Sequence, residues 1–376
     1  MTRDKATEVQ AWQPRFVLTH SIVGKLTQIE GARVVVENTA LPTPVLAELS
    51  RRARVRATHY STRIEGNRLT LKEAEQVIAG ERRVFHGRER DVAEVRNYWE
   101  ALAKVEDWAS KKRPVTEELI QHIAGTALHG KRAKAAPYRT GQNAIRDSAT
   151  GALVYLPPEA SDVPGLMAGM VGWIRQAEVE AISPVVLAGL AHYQFVTIHP
   201  YYDGNGRTAR LLATFLLHRG GYGLRGLFSL EEYHSRDIMA YYHALEVGGH
   251  HNYYMGRADA DLTGWLEYFV GTVSEVFEAA KQEALKHAET ALVPEPDQFR
   301  RLDRRARLVL ALFLHKEYIT SGDVAQTLGL SARMARVLLA EWVAAGWLVV
   351  ADPSRKGREY ALADDLRQHL GGATQQ

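Results

Sequence analysis

The chain has 376 residues, about 46% apolar and 24% charged, an ordinary globular composition long enough for roughly two or three domains, so wholesale disorder is excluded. Lys and Arg total 47 against 44 Asp and Glu, and the resulting net charge of +3 means that attraction to nucleic acid or an anionic surface must come from a local patch. The absence of cysteine excludes disulfide frameworks, thiolate zinc sites, cysteine nucleophiles and thiol redox chemistry.

Met1 to Pro14 carries Asp4 and Glu8 and has no apolar core, so it does not read as a signal peptide. No window approaches the roughly 18 uninterrupted apolar residues needed to cross a bilayer, and a soluble, cytoplasmic protein with no membrane partner is the expectation. Ala32-Arg33-Val34-Val35-Val36 is β-branched and precedes the turn formers Asn38 and Pro42, so it reads as a peripheral strand. From Pro44 onward apolar residues recur three and four apart, as in Val45, Leu46 and Leu49 and again in Leu211, Leu212, Phe215 and Leu216. The fold class is therefore mainly α. The first of these helices runs into Ser61-Thr62-Arg63-Ile64-Glu65-Gly66-Asn67, with Glu65 in its last turn and Gly66 as terminator. A carboxylate at a helix C-terminus is disfavoured by the dipole, so Glu65 is either an ordinary solvated glutamate or has a positive partner elsewhere. Arg51, Arg52, Arg54 and Arg56 on the same helix read as solvated surface.

Between Pro137 and Pro158, Asn143-Ala144-Ile145 and Leu153-Val154-Tyr155-Leu156 flank the polar turn Asp147-Ser148-Ala149-Thr150-Gly151, the pattern of a β-hairpin. An apolar helix, Leu187 to Ile198, then leads into His199-Pro200-Tyr201-Tyr202-Asp203-Gly204-Asn205-Gly206-Arg207-Thr208-Ala209-Arg210. Pro200 biases His199 away from αR, so the histidine sits where the chain leaves the helix. Asp203 to Gly206 forms a tight loop, and Arg207 to Arg219 reads as a new helix closed by Gly220-Gly221. A glycine loop opening a helix is an anion cradle, since its N–H groups point outward with the positive end of the dipole behind them. Arg207 and Arg210 add multidentate phosphate donors, Asp203 is a hard oxygen ligand suited to Mg²⁺, and His199 could take a proton from a hydroxyl. Each part has a place in phosphoryl or nucleotidyl transfer. The stretch from Gly204 to Ala209 also fits the alanine-ending dinucleotide fingerprint, but no strand precedes it and no βαβ alternation follows. A metal hydrolase using His192, His199 and Asp203 leaves both arginines unexplained.

Pro294-Glu295-Pro296 breaks a long helical pattern and is the best candidate for a domain boundary. Beyond it come an apolar helix (Leu308 to Leu314), a Ser321-Gly322-Asp323 start signal, a short helix to Leu328, Gly329 as turn, a helix from Ser331, and two β-like pieces around a Lys356-Gly357-Arg358 turn. That order matches a winged helix-turn-helix. Arg333, Arg336, Arg355, Lys356 and Arg358 could form a basic strip for DNA, and protein contact through the same face is equally open.

The His199 to Arg210 block resembles the signature of Fic-domain proteins, which is His-Pro-Phe, one free residue, Asp or Glu, Gly-Asn-Gly-Arg, two free residues and Arg. Only Tyr201 in place of Phe departs from it. The resemblance runs at low level from about Thr43 to Phe277. It implies a helical core with a β-hairpin flap, and transfer of AMP from ATP to a Tyr, Thr or Ser hydroxyl of a target protein, with ATP and Mg²⁺ as the cofactors. By that resemblance His199 is the base and Asp203 holds Mg²⁺. Gly204, Asn205, Gly206 and Arg207, continuing into Thr208 and Ala209, take the α- and β-phosphates, and Arg210 takes the γ-phosphate. The hairpin becomes a flap that lays a target segment beside the α-phosphate, with Gln142, Asn143, Ala144 and Ile145 on the nucleotide side. Tyr241 and Tyr242 fall in a segment similar to one that contacts base and sugar, although core packing explains tyrosines equally well. Ser61, Glu65 and Gly66 look like the family's inhibitory motif, in which Glu65 pairs with Arg210 and displaces the γ-phosphate's partner. The expected organisation is residues 1–100 as an N-terminal region with the inhibitory helix, 101–293 as the catalytic core and 300–366 as the winged helix. A DNA-binding regulator with a nucleotide-sensing Fic-like domain and a de-AMPylating enzyme are the alternatives, and a homodimer is left open.

Overall fold

The computed structural model describes residues 12–81, 85–146, 150–290, 304–314, 316–328, 330–352, 354, 358–364 and 366–367. Four features of the sequence reading lie outside them: the hairpin turn at Asp147 to Ala149, the Pro294 to Pro296 boundary, the Gly329 turn, and the Arg355 to Gly357 part of the basic turn. The chain divides into two compact units, one formed by residues up to Glu37 with Arg52–Gln282, the other by Asn38–Arg51 with residues from Glu283 on.

In the first unit the described elements run α1 (His20–Asn38), α2 (Thr43–Ile64), α3 (Leu71–Ile78), α4 (Glu89–Ser110), α5 (Glu117–His129), β1 (Ile145–Arg146), β2 (Leu153–Tyr155), α6 (Val163–Val179), α7 (Pro184–Ile198), α8 (Asn205–Arg219), α9 (Leu230–Arg236), α10 (Ile238–Leu245) and α11 (Thr263–Thr290), with α2 and α11 continuing into the second unit. The fold is mainly helical. Local chemistry sets several starts: Thr70 and Glu73 close a capping box on α3, and Thr116 and Ser229 cap α5 and α9. The expected strand at Ala32 to Val36 is instead the last part of α1. Ile22, Ile29, Ala32 and Val36 fall on one helical face and are buried together, so tertiary packing overrides the local preference of three consecutive valines.

Helix α7 is apolar nearly all round, and both α7 and α8 are buried on almost every face, the signature of central helices, with α8 carrying buried Asn205, Arg207 and Arg210 in its first turns. They pack against one another, with α4 and α5 against α8 and α6 against α7. The short loop between them is thereby fixed at both ends by core helices. The hairpin pairs β1 with β2 antiparallel, Ile145 opposite Tyr155, with an irregularity at Arg146.

The second unit contains a helix at Arg304–Leu310, β3 (Ile319–Thr320), a helix at Ser321–Leu328, a helix at Ala332–Ala344 capped by Ser331, β4 (Leu348–Asp352) and β5 (Glu359–Leu362). Its sheet has the order β3-β5-β4, antiparallel throughout. Leu310, Ile319, Leu339, Trp342, Trp347 and Tyr360 anchor a separate core. Among the described residues no helix is long and apolar enough to cross a membrane.

Candidate active site

Helix α7 stops at Ile198 because Pro200 pushes its predecessor out of αR, and His199 takes the left-handed conformation at φ 52° and ψ 58°. Such a backbone is uncommon for a residue with a Cβ and persists only where neighbours hold it. Here the His199 N–H donates to the Phe195 carbonyl (3.0 Å), and its own carbonyl accepts from Arg139 Nε (3.0 Å). The ring is held as well, with Nδ1 at 3.2 Å from the Val196 carbonyl. A carbonyl only accepts, so Nδ1 carries the proton and Nε2 keeps its lone pair in the neutral ring. Burial pushes the imidazole pKa down to about 4, against the opposing pull of the Val196 carbonyl and the Glu65 and Asp203 carboxylates. The histidine is neutral at physiological pH and able to accept a proton.

The loop that follows is built from inside by Asn205. Its buried side chain accepts from the Tyr201 N–H (3.0 Å) and donates to the Tyr201 carbonyl (2.8 Å), clamping the backbone as a neighbouring strand would. Gly204 caps α8 with φ 77°, and a Cβ there would meet Leu128 Cδ2 at 2.8 Å. Both the conformation and the close approach require glycine. The N–H groups of Asn205, Gly206 and Arg207 are first-turn donors with no intrahelical acceptor, whereas Thr208 N–H already reaches the Gly204 carbonyl. Asp203 Oδ1 accepts from the Gly204 N–H (2.6 Å) and from Arg207 Nη2 (3.1 Å). Buried Arg207 Nε has no partner among the described residues, so a donor at the cradle's base is unused.

Over this cradle lies the end of α2. Arg210, only 2% exposed, donates from Nε to Ser61 Oγ (2.9 Å), and from Nη2 to the Ser61 carbonyl (2.9 Å) and Glu65 Oε1 (2.8 Å). A Cβ built on Gly206 would sit 2.3 Å from the same Glu65 oxygen. The carboxylate therefore occupies the space beside Gly206 at the opening of α8. Gly66, at φ 89°, turns the chain immediately after it.

The hairpin is stitched to the histidine loop along a seam. Arg139, almost fully buried, donates to the carbonyls of His199, Gly141 and Pro158, and its N–H donates to the Pro200 carbonyl. The Tyr202 hydroxyl accepts from the Gly141 N–H at 2.7 Å, Asn143 Nδ2 donates to the Tyr201 carbonyl at 3.1 Å, and the Tyr155 hydroxyl donates to the Thr197 carbonyl at 2.8 Å. Gln142, itself exposed, donates to the Pro157 carbonyl, while Ala144 is also exposed and Ile145 half-buried.

Among the other residues singled out by sequence, Thr208 and Ala209 are buried in α8, and Tyr241 is buried with its hydroxyl 2.9 Å from His192 Nε2. Tyr242 is exposed and donates to the Ile64 carbonyl at the end of α2. Arg54 is not solvated surface: its guanidinium lies 4.2 Å from the Trp99 ring centroid and pairs with Glu106 at 3.3 Å. His192 is committed to Tyr241, and among the described residues no three His, Asp or Glu side chains are grouped to hold a metal. A divalent cation is still compatible with this loop, because Asp203 is about 59% exposed and a cation shared with phosphates needs only one or two protein carboxylates. Arg139, Tyr202, Tyr98 and Glu231 were not singled out by the sequence. Tyr202 stands in the free position of the motif, and nothing local distinguishes Glu231.

Residues 114–217 match the Fic/DOC family. A protein adenylyltransferase Fic from Nematostella vectensis is 32% identical over 166 residues, which is 44% of this chain and 37% of that protein. The chain thus spans little more than a third of that relative's length. Among solved structures, a Fic family protein from Desulfovibrio desulfuricans is 25% identical with a TM-score of 0.56, covering 94% of this chain and 99% of the other. A Fic domain containing signaling protein from Bacteroides thetaiotaomicron is also 25% identical, with a TM-score of 0.59 over 72% of this chain and 97% of the other.

Proposed function

Because the chain carries a Fic/DOC family segment over residues 114–217 within a Fic-type helical fold, we propose that it is a protein adenylyltransferase that moves AMP from ATP to a Tyr, Thr or Ser hydroxyl of a target protein and is held in check by Glu65. The observation that carries this reading is the junction of a neutral imidazole, protonated on Nδ1, with a helix-opening glycine loop whose first-turn donors have no intrahelical acceptor and whose Arg207 Nε has no partner among the described residues. The triphosphate lies along the N-terminus of α8, with Arg207 and the loop amides on the α- and β-phosphates and Arg210 on the γ-phosphate. His199 Nε2 takes the proton of the target hydroxyl as its oxygen bonds to the α-phosphorus, and the bond to the β-phosphate breaks so that diphosphate leaves. Asp203 would hold Mg²⁺, which neutralises phosphate charge when bound. The flap seam keeps the hairpin at a fixed distance from His199, so a target strand added to β2 brings its hydroxyl to the base. Ser61, Glu65 and Gly66 form the brake: with Glu65 on Arg210, the γ-phosphate has no cationic partner and the α-phosphate is not aligned.

Incubation with ATP labelled at the α- or the γ-phosphate, followed by mass analysis of the protein, tests the reaction. Label from the α position with the mass of one adenylyl group is the expected result. Transfer of γ label alone would make the protein a kinase instead. A second reading concerns the C-terminal unit, where Arg333 and Arg336 are exposed on the helix after Ser331 and a groove of about 700 Å³ is lined by Ser321, Arg336, Ser354 and Arg358. Its order of elements suits a winged helix with duplex DNA as ligand. Binding to DNA that weakens steeply with added salt is expected, and salt-insensitive or absent binding would reject it.

A further inference from the structure

Arg210 is a buried cation, and Glu65 is only its outer partner, with about 31% of its side chain exposed. On the other side the hydrogen bonds continue inward. Arg210 Nε–H donates to Ser61 Oγ at 2.9 Å, and Tyr98, whose hydroxyl is influenced by Ser61 and by the charge of Arg210, donates from Oη–H to Glu231 Oε1 at 2.9 Å. Glu231 is 2% exposed and takes a further bond on Oε2 from Ser229 Oγ at 3.1 Å. Burial pushes the Glu231 pKa up, opposed by the Tyr98 and Ser229 donors and by the charge of Arg210. The neighbouring groups do not replace Arg210 as its cation: Glu106 is a second carboxylate paired to Arg54, and burial keeps the His192 and His234 rings neutral.

We propose that Glu231 is a second, fixed counter-anion for Arg210, joined to it through Ser61 and Tyr98, and that it sets how firmly Glu65 grips the guanidinium. A buried cation needs a partner in every state of the site. With Glu231 seated below, Glu65 can leave without abandoning a bare charge, and Arg210 keeps its aim toward the cradle. The division of charge has the opposite effect on affinity, because an anion arriving from above meets a cation already partly neutralised. The consequence for ATP rests on the transferase reading, whereas the pairing itself does not.

A stability cycle on the full chain tests the pairing without nucleotide. Glu231→Gln keeps an acceptor for Tyr98, removes the charge and turns the Ser229 contact round so that the amide donates to Ser229 Oγ, a change common to both backgrounds of the cycle. In denaturant unfolding it is expected to lower the folding equilibrium constant about tenfold in the native background and to be neutral or stabilising in Arg210→Met. Equal effects in the two backgrounds would overturn the proposal. Should Arg210→Met not fold, titrations of ATP and ADP against Glu65→Gly with and without Glu231→Gln decide it. The advantage of ATP over ADP is expected to rise about tenfold on loss of Glu231's charge, and a ratio that stays within about twofold, or falls, would refute it. Failure of AMP transfer with a positive cycle would sink the transferase reading and leave the pairing intact.

Discussion

Replacing Glu65 by Gly removes the carboxylate that lies 2.8 Å from Arg210 and over Gly206. At an effective dielectric of about 20, two unit charges at that separation attract by about 6 kcal/mol before desolvation. Glu65 is about a third exposed, so solvent screening and the cost of ordering its side chain reduce the net value to about 1.5–3 kcal/mol, the range for a hydrogen bond to a charged group. If that is the barrier an ATP γ-phosphate has to overcome, Glu65→Gly should raise AMP incorporation by about 10- to 150-fold. Auto-modification with labelled ATP at saturating Mg²⁺ measures this, and adding His199→Ala should return the rate to background. Glu65→Gln separates charge from bulk: release close to that of Gly means the ion pair is the brake, and no release means occupancy of the space above Gly206 is. A Glu65→Gly rate within about twofold of the native one would refute the brake. A rate increase that survives His199→Ala would refute the assignment of the base.

Four further outcomes are expected. His59 and His218 hold no proton until the pH falls to about 4, and His234 until about 3, through burial, whereas each takes one near its ordinary value of 6.5 when unfolded. The unfolded chain therefore binds more protons below 6.5, so stability present above that pH is lost toward 4 at about 1.4 kcal/mol per unit for each histidine, and a flat denaturation midpoint across this window would contradict the burial. For the same reason AMP transfer by Glu65→Gly should show no acid limb near 6.5, since His199 is already neutral there. Tyr201→Phe removes a buried hydroxyl that has no partner among the described residues, so it should be neutral or stabilising by about 1 kcal/mol in thermal unfolding; clear destabilisation would mean the hydroxyl is bonded. Arg139→Lys cannot serve the His199, Gly141 and Pro158 carbonyls together, and should lower kcat of Glu65→Gly about tenfold with faster amide exchange at 140–143.

What the sequence revealed and what it hid follow from the range of the interactions. The loop from His199 to Arg210 is legible because Pro200, Gly204 and Gly206 dictate its conformation through their own backbone limits, and its chemistry is compressed into neighbouring positions. The α1 segment misread as a strand is the reverse case. Ala32 to Val36 has β-branched chemistry, yet Ala32 and Val36 continue the buried helical face begun by Ile22 and Ile29 upstream, and that face becomes decisive only when packed. Arg54 likewise looks like one of four surface arginines until Trp99 and Glu106, more than forty residues away, close over it.

The same distinction explains why Glu65 was ambiguous and Glu231 invisible. A glutamate after a helix C-terminus shows a local conflict, with the dipole against the charge, and such a conflict points to a compensating cation even before that cation is known. Glu231 shows none, because it sits in the first turn of α9 behind its cap Ser229, where a carboxylate is favoured by the dipole. Its unusual feature is burial against Tyr98 of α4, more than 130 residues away in sequence. A locally comfortable residue can thus carry a long-range role that only the folded chain exposes. The proposed brake would then have two halves of opposite character: an outer carboxylate held against local preference and so able to leave, and an inner one that local structure already favours and so retains.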